Sequence, residues 1–197
     1  MIERGWFGRA LRLVLSDLPA FLVGGLILMT VTALSLGLLA GPAIGGIVWV
    51  TLKHLRGEEV VFQDLFRGFE RPGAMVLAGL AFGALVVAGL FAFLVPGLVL
   101  GGLFCFAFPL MVDRKLSPGE AFSASRRLAA GHDVLDRSLF FLFVLLTGLA
   151  GVALMMVGIL FTWPLMWAIV AVAYEDLTSG AARQAAPSGS RPAHDGR

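Results

Sequence analysis

Side chains able to do acid–base, nucleophilic or metal chemistry are scarce in this sequence and crowd into a few short stretches. The histidines are His54, His132 and His194. His132-Asp133 with Asp136 comes nearest to a ligand cluster. Its spacing matches no His/Cys/carboxylate metal pattern, so a solvated stretch is expected there. Ser123 and Ser125 lack a nearby base and read as helix surface. No G-x-S-x-G, H-E-x-x-H, C-x-x-C or phosphate-loop pattern occurs. Cys105 is the single cysteine and lies in an apolar stretch. It cannot form an intrachain disulfide and reads as a small buried hydrophobe. The remaining charged groups stand in clusters: Lys53, His54 and Arg56; Asp113 and Arg114; Glu175 and Asp176. Each cluster ends an apolar stretch, where long side chains can reach an interface, so these are read as boundary anchors. No catalytic residue, cofactor or metal is expected, and an intramembrane enzyme is the least favoured reading.

The elements that position these groups are apolar blocks. The chain is 58% apolar and 14% charged, against about half and a quarter in soluble domains. Residues 18–52, 72–112 and 138–174 contain no Asp, Glu, Lys or Arg. A helix needs about 20 apolar residues to cross roughly 30 Å of hydrocarbon. Each block, at roughly 35 to 40 residues, is too long for one span and suits two. Three helical hairpins follow, at about residues 18–56, 72–112 and 138–174, giving an all-α membrane domain of about six helices over residues 18–176. Helix breaks are expected at Gly41-Pro42, Pro96-Gly97 and Gly158. Residues 1–17 read as an interfacial helix, with Trp6, Phe7, Ala10, Val14 and Leu18 at helical spacing and Arg9, Arg12 and Ser16 on another face. The Ala-, Ser-, Gly- and Pro-rich stretch 177–197 is expected to be a disordered cytoplasmic tail.

Small residues four apart, in the rows Gly37, Gly41, Gly45 and Gly79, Gly83 and Gly97, Gly101, let helix backbones approach closely in lipid. Packing within the chain is the expected use. The units also resemble one another. Sliding the first onto the second by 56 positions superposes Gly41 on Gly97, Gly45-Gly46 on Gly101-Gly102, Asp64 on Glu120 and Phe66 on Phe122. Gly97 falls on Gly158 after a further shift of 61. Both connections carry amphipathic pieces. In the first, which also holds Asp64, the residues Phe62, Leu65, Phe66 and Phe69 are placed on one helical face. In the second, Ser117 caps a helix with Pro118 first and Glu120 third, and Ala121, Phe122, Ser125, Leu128 and Ala129 form its less polar side. Both are expected to lie on the bilayer surface.

All 15 Lys and Arg residues fall in the N-terminal segment, the two connections or the tail, and none at a hairpin tip. Cations near span ends favour the cytoplasmic side, which places both termini in the cytoplasm. A formal net charge of +2 and the lack of a dense basic run argue against a nucleic-acid partner.

Two sets of motifs resemble a known group. One is Gly41-Pro42 followed by Asp64-Leu65-Phe66-Arg67-Gly68-Phe69. The other is Pro96-Gly97, then Phe108-Pro109-Leu110 with Asp113, then Glu120-Ala121 and Ser125. Over residues 18–176 they resemble uncharacterised bacterial six-helix membrane proteins related to the membrane domain of glycerophosphodiester phosphodiesterases. The resemblance implies a bacterial inner-membrane protein. It carries over no activity, because the catalytic barrel of those enzymes takes roughly 250 residues and only a short tail follows the last helix here. The expected role is a non-enzymatic structural or accessory one, with the lipid bilayer and a membrane protein as partners. The alternatives are a small-solute or lipid transporter, with Thr30, Thr32, Ser35, Thr51 and Thr147 as its main polar groups, and a membrane-curvature hairpin protein.

Overall fold

The computed structural model describes residues 5–92, 94–130, 133–153 and 157–185, and every regular element among them is helical. In chain order these are α1 (Trp6–Ser16), α2 (Leu18–Leu34), α3 (Ala40–Leu55), a 3₁₀ segment (Phe62–Glu70), α4 (Pro72–Ala92), α5 (Leu94–Phe104), α6 (Ala107–Arg114), α7 (Pro118–Ala130), α8 (Val134–Ala153) and α9 (Val157–Ala185). Among the described residues three helical stretches are long and apolar enough to cross a membrane: Pro72–Gly89, Pro96–Arg114 and Leu160–Ser179. The second joins α5 to α6 across a single turn at Cys105-Phe106. A fourth results if α1 and α2, which meet at 96°, form one broken span. α2 and α3, with 17 and 16 residues, rise only about 25 Å each.

α4 packs on α5 and α8 on α9, whereas α2 packs on both α3 and α9. The first break, however, falls earlier than expected. The first turn between helices occupies Ser35–Leu39, and Gly41 and Pro42 lie at the start of α3. Pro96 and Gly97 are helical and lie near the first described residue of α5, and Gly158 near that of α9; the residues between the paired helices there, 93 and 154–156, lie outside the described ones. The physical reason at the first break is the proline. The N–H groups at the start of a helix have no intrahelical acceptor, so a proline there loses no bond while its fixed φ favours the start. In the first hairpin the breaker opens the second helix; it does not form the turn.

Glycine contacts separate into used and unused positions. Gly41 of α3 and Gly79 of α4 touch backbone to backbone, since a Cβ on Gly41 would lie 2.0 Å from the Met75 carbonyl oxygen and 3.2 Å from Gly79 Cα. A Cβ on Gly45 would meet Gly68 Cα at 3.1 Å, and Gly101 seats the Phe141 ring of α8. Gly83 has nothing within 4 Å, so its place in a packing row is not borne out. Nor is that of Gly37, which sits in the turn after α2 at φ +85° facing open space; it is there because that backbone conformation disfavours a side chain.

α1 buries Trp6, Ala10, Leu13 and Val14. The face is turned to α8 and α9, with Trp6 edge-on to Phe140 and Phe7 to Phe143. α9 continues to Ala185, so the first residues of the expected tail are helical; residues 186–197 lie outside the described ones. The centre of the bundle is aromatic and aliphatic. Phe106, Phe108, Phe140 and Tyr174 are among its largest fully buried side chains, and Trp167 stacks edge-on against Phe82 and Phe108.

Candidate functional site

The charged clusters of the sequence come together at one end of the bundle. α3 and α6 both end there, against the middle of α9. Arg56, just past α3, is the hub. Its guanidinium donates to Asp113 Oδ1 at the end of α6 (2.7 Å) and to Glu175 Oε2 on α9 (2.9 Å). Tyr174, fully buried, donates its hydroxyl to the other oxygen of Asp113 (2.8 Å). Next along α9, Asp176 accepts from Trp6 Nε1 (2.6 Å) and pairs with Arg9, fastening α1 to α9. His54 lies 3.4 Å from Ser16 Oγ; His132 and His194 lie outside the described residues.

A second knot joins α3 to the 3₁₀ segment. Asp64 accepts from Lys53 Nζ (2.8 Å), from Trp49 Nε1 (3.2 Å) and from the Val61 N–H (2.8 Å). Burial alone would push the Asp64 carboxyl up. The bonds from Lys53, Val61 and Trp49 outweigh it and hold the group below its ordinary value. Arg67 pairs with Glu70 and lies 4.9 Å over the Trp49 ring. Of the expected face, Phe62, Phe66 and Phe69 stay together and Leu65 parts from them. Leu65 and Gly68, one 3₁₀ turn apart, are buried, whereas Phe62 and Phe66 are exposed and Phe69 half-buried. The rings of Phe62, Phe66 and Phe69 pack on one another in sequence. Leu65 reaches Gly24 of α2, and its backbone lies against Gly46 of α3. On the second connection, Glu120 accepts from the Ser117 N–H (2.9 Å) and hydroxyl (2.7 Å), which supplies the Glu120 half of the cap expected there. Those bonds hold its carboxyl below the usual value. Ala121, Ser125 and Ala129 are buried, and Ser125 donates to the Leu103 carbonyl (2.8 Å).

This arrangement is suited to fastening. Each carboxylate in the two knots faces a cation or an N–H donor, which leaves none poised as a general base. Among the described residues no group of three His, Cys, Asp or Glu side chains could hold a metal ion. The hydroxyls singled out within the apolar blocks are also engaged. Thr30, Thr32, Thr51 and Thr147 each donate to the carbonyl four residues back, and Ser35 to the one three back. On α9 the buried Thr162 hydroxyl and Trp167 Nε1 have no hydrogen-bond partner among the described residues. Cys105 is fully buried, its thiol directed to the Gly102 carbonyl at 3.6 Å.

Sequence reasoning misses the partners. Along the chain the clusters read as independent boundary anchors, whereas Arg56 joins three of them across separations of 57 and 119 residues. The available signal is that the ends of successive apolar blocks carry opposite charges on the same face. Trp6 as a donor to Asp176, and Tyr174 as a donor to Asp113, have no sequence signal at all. No family model, curated protein or solved structure matches the chain.

Proposed function

We propose that this chain is a non-enzymatic integral membrane protein, a structural or accessory component of the bacterial inner membrane. Its three hairpins cross the bilayer six times, with the charged end and both termini in the cytoplasm. The observation that carries the reading is the use made of its polar groups. At the charged end they tie helices to one another. Inside the apolar blocks Thr30, Thr32, Thr51 and Thr147 donate to their own helices. Moving an ion or a protonated solute through hydrocarbon needs compensating charge along the path, because an unpaired ion there costs several kcal/mol. Purified protein in liposomes is therefore expected to give no pH-gradient-driven uptake and no ion current above protein-free vesicles. A reproducible flux abolished by Thr51→Val would overturn the reading in favour of a transporter.

The six-span topology has its own test. Single cysteines at Leu38, exposed in the first tip, and at Phe91, strongly exposed next to the second, are placed in a Cys105→Ala background. Both are expected to react with an impermeant thiol reagent added outside intact cells. The shortness of α2 and α3 favours a second reading for the first hairpin alone, one that wedges into the membrane from the cytoplasmic face. Labelling of Phe91→Cys without Leu38→Cys would select it.

A further inference from the structure

A small basic-rimmed pocket opens at the charged end, between the 3₁₀ segment and the start of α4 on one side and the end of α6 on the other. Arg67, Arg71 and Lys115 line it with Glu70, together with the apolar Met75 and Met111. Its volume is about 140 Å³, the share of roughly five water molecules in the liquid. That is room enough for a phosphate group. The position is what gives the pocket meaning. One candidate span begins at Pro72 and another ends at Arg114, so the pocket lies at the depth where headgroup phosphates of the adjoining leaflet lie.

The charges are not equally committed. Arg67 and Glu70 neutralise each other. Arg71 gives one nitrogen to the Lys115 carbonyl (2.7 Å) and keeps the rest of its fork. Glu120, the neighbouring acid, is held by Ser117 and also attracts Arg71, which leaves Lys115 the freer of the two cations. The Lys115 side chain is exposed, and no hydrogen bond or ion pair among the described residues engages its ammonium. Its backbone is the more telling feature. Lys115 ends α6 at φ 53°, ψ 30°, the left-handed position that glycine occupies freely and other residues at a penalty. Among the described residues only Leu36 shares a positive φ without being glycine. A cation is kept where glycine would end the helix more stably.

We infer that this pocket binds the phosphate of an anionic phospholipid from the leaflet at the charged end, with Lys115 and Arg71 as its ligands. The inference rests on the membrane reading of Pro72–Gly89 and Pro96–Arg114 and not on the accessory role. The full chain is purified in detergent, and native mass spectrometry measures its retention of phosphatidylglycerol and of phosphatidylcholine with the same acyl chains. Each basic residue near an anionic surface is worth roughly fivefold in binding. Wild type is expected to prefer phosphatidylglycerol, and Lys115→Gly to lose about fivefold of that preference while its melting temperature rises, since the substitution relieves the backbone. Lys115→Gln keeps the backbone burden and should lose the same preference with no gain in stability. Arg126→Gln, an exposed cation of α7 outside the pocket, should leave the preference unchanged. Equal retention of the two lipids by wild type, or an equal loss in Arg126→Gln, would overturn the site. So would displacement of the lipid by millimolar inorganic phosphate, which would assign the pocket to a soluble anion. Recovery of protein in phosphatidylcholine vesicles reports membrane insertion separately.

Discussion

The first two hairpin units solve one problem in different ways. Each must fasten an amphipathic connection to the second helix of its hairpin, and each begins alike. Asp64 accepts from the N–H of Val61, and Glu120 from the N–H of Ser117, with acid and donor each displaced by the same 56 positions. The acid at the third position of the segment satisfies a donor that helix geometry leaves orphaned. The units then diverge. The first segment is 3₁₀ and lies against α3 through backbone, with a Cβ on Gly46 placed 1.9 Å from the Leu65 carbonyl oxygen and one on Gly68 2.0 Å from that of Pro42. The second is an α-helix, held by buried alanines and the Ser125 bond to Leu103. Its repeat glycine, Gly102, meets the start of α8 instead, where a Cβ would lie 2.6 Å from the Arg137 carbonyl oxygen. Asp64 also collects Lys53 and Trp49, whereas Glu120 is fully exposed and keeps to its cap. An internal repeat thus preserves local capping while the partners are replaced, because capping depends on residues three apart and packing on whatever lies opposite.

The glycines give the largest expected contrast between the units. Gly46→Ala must displace the backbone of the 3₁₀ segment and is expected to cost about 3 kcal/mol or more, against about 1–2 kcal/mol for Gly102→Ala. Thermal unfolding in detergent measures both, and hydrogen exchange should show residues 62–70 opening in the first variant alone. Equal costs would mean that the two glycines are equivalent and that the divergence is not energetic.

The acids provide a smaller contrast. Asp64→Asn keeps an acceptor for Val61 but deprives Lys53 of its charge partner, in a pair only 16% and 14% exposed; the cost expected is about 1–2 kcal/mol. Glu120→Gln keeps an acceptor for Ser117 and should leave both the start of α7 and the melting temperature nearly unchanged. Acid reads the same difference. The Asp64 carboxyl lies below its ordinary value of 3.8, so its contribution is complete above that pH and fades as pH falls through the lowered value. Protection of residues 62–70 should therefore drop on acidification below about pH 4 in wild type and show no such step in Asp64→Asn. A step of the same size in the variant would exclude Asp64 as its source.

Part of this architecture is legible in the residues alone. Charge-free blocks of twice the length of a span dictate paired apolar helices, since no polar stripe is present to make them soluble core helices. The cap at Glu120 follows from a serine three residues before it, and Pro42 marks a helix start to within a turn, where sterics admit it without cost. Pro164, by contrast, lies inside α9 without ending it. A period of 3.6 residues puts Phe62, Leu65, Phe66 and Phe69 on one face, whereas in the 3₁₀ segment, of period three, Leu65 is buried together with Gly68 and apart from Phe66 and Phe69.

The information carried along the chain is therefore local: where apolar helices run, how their ends are capped, and on which end the charges gather. These follow from torsional limits, hydrogen bonds between near neighbours and the cost of burying charge, each settled within a few residues. Tertiary packing was needed to decide that Arg56 takes Asp113 and Glu175, that Asp176 takes Trp6 and Arg9, and that Gly41 and Gly46 are contact points while Gly37 and Gly83 are not. Many cations, carboxylates and glycines are equivalent candidates along the chain. Which of them meet depends on the relative placement of whole helices, and that is fixed by the summed packing of their faces, which no single spacing in the sequence encodes.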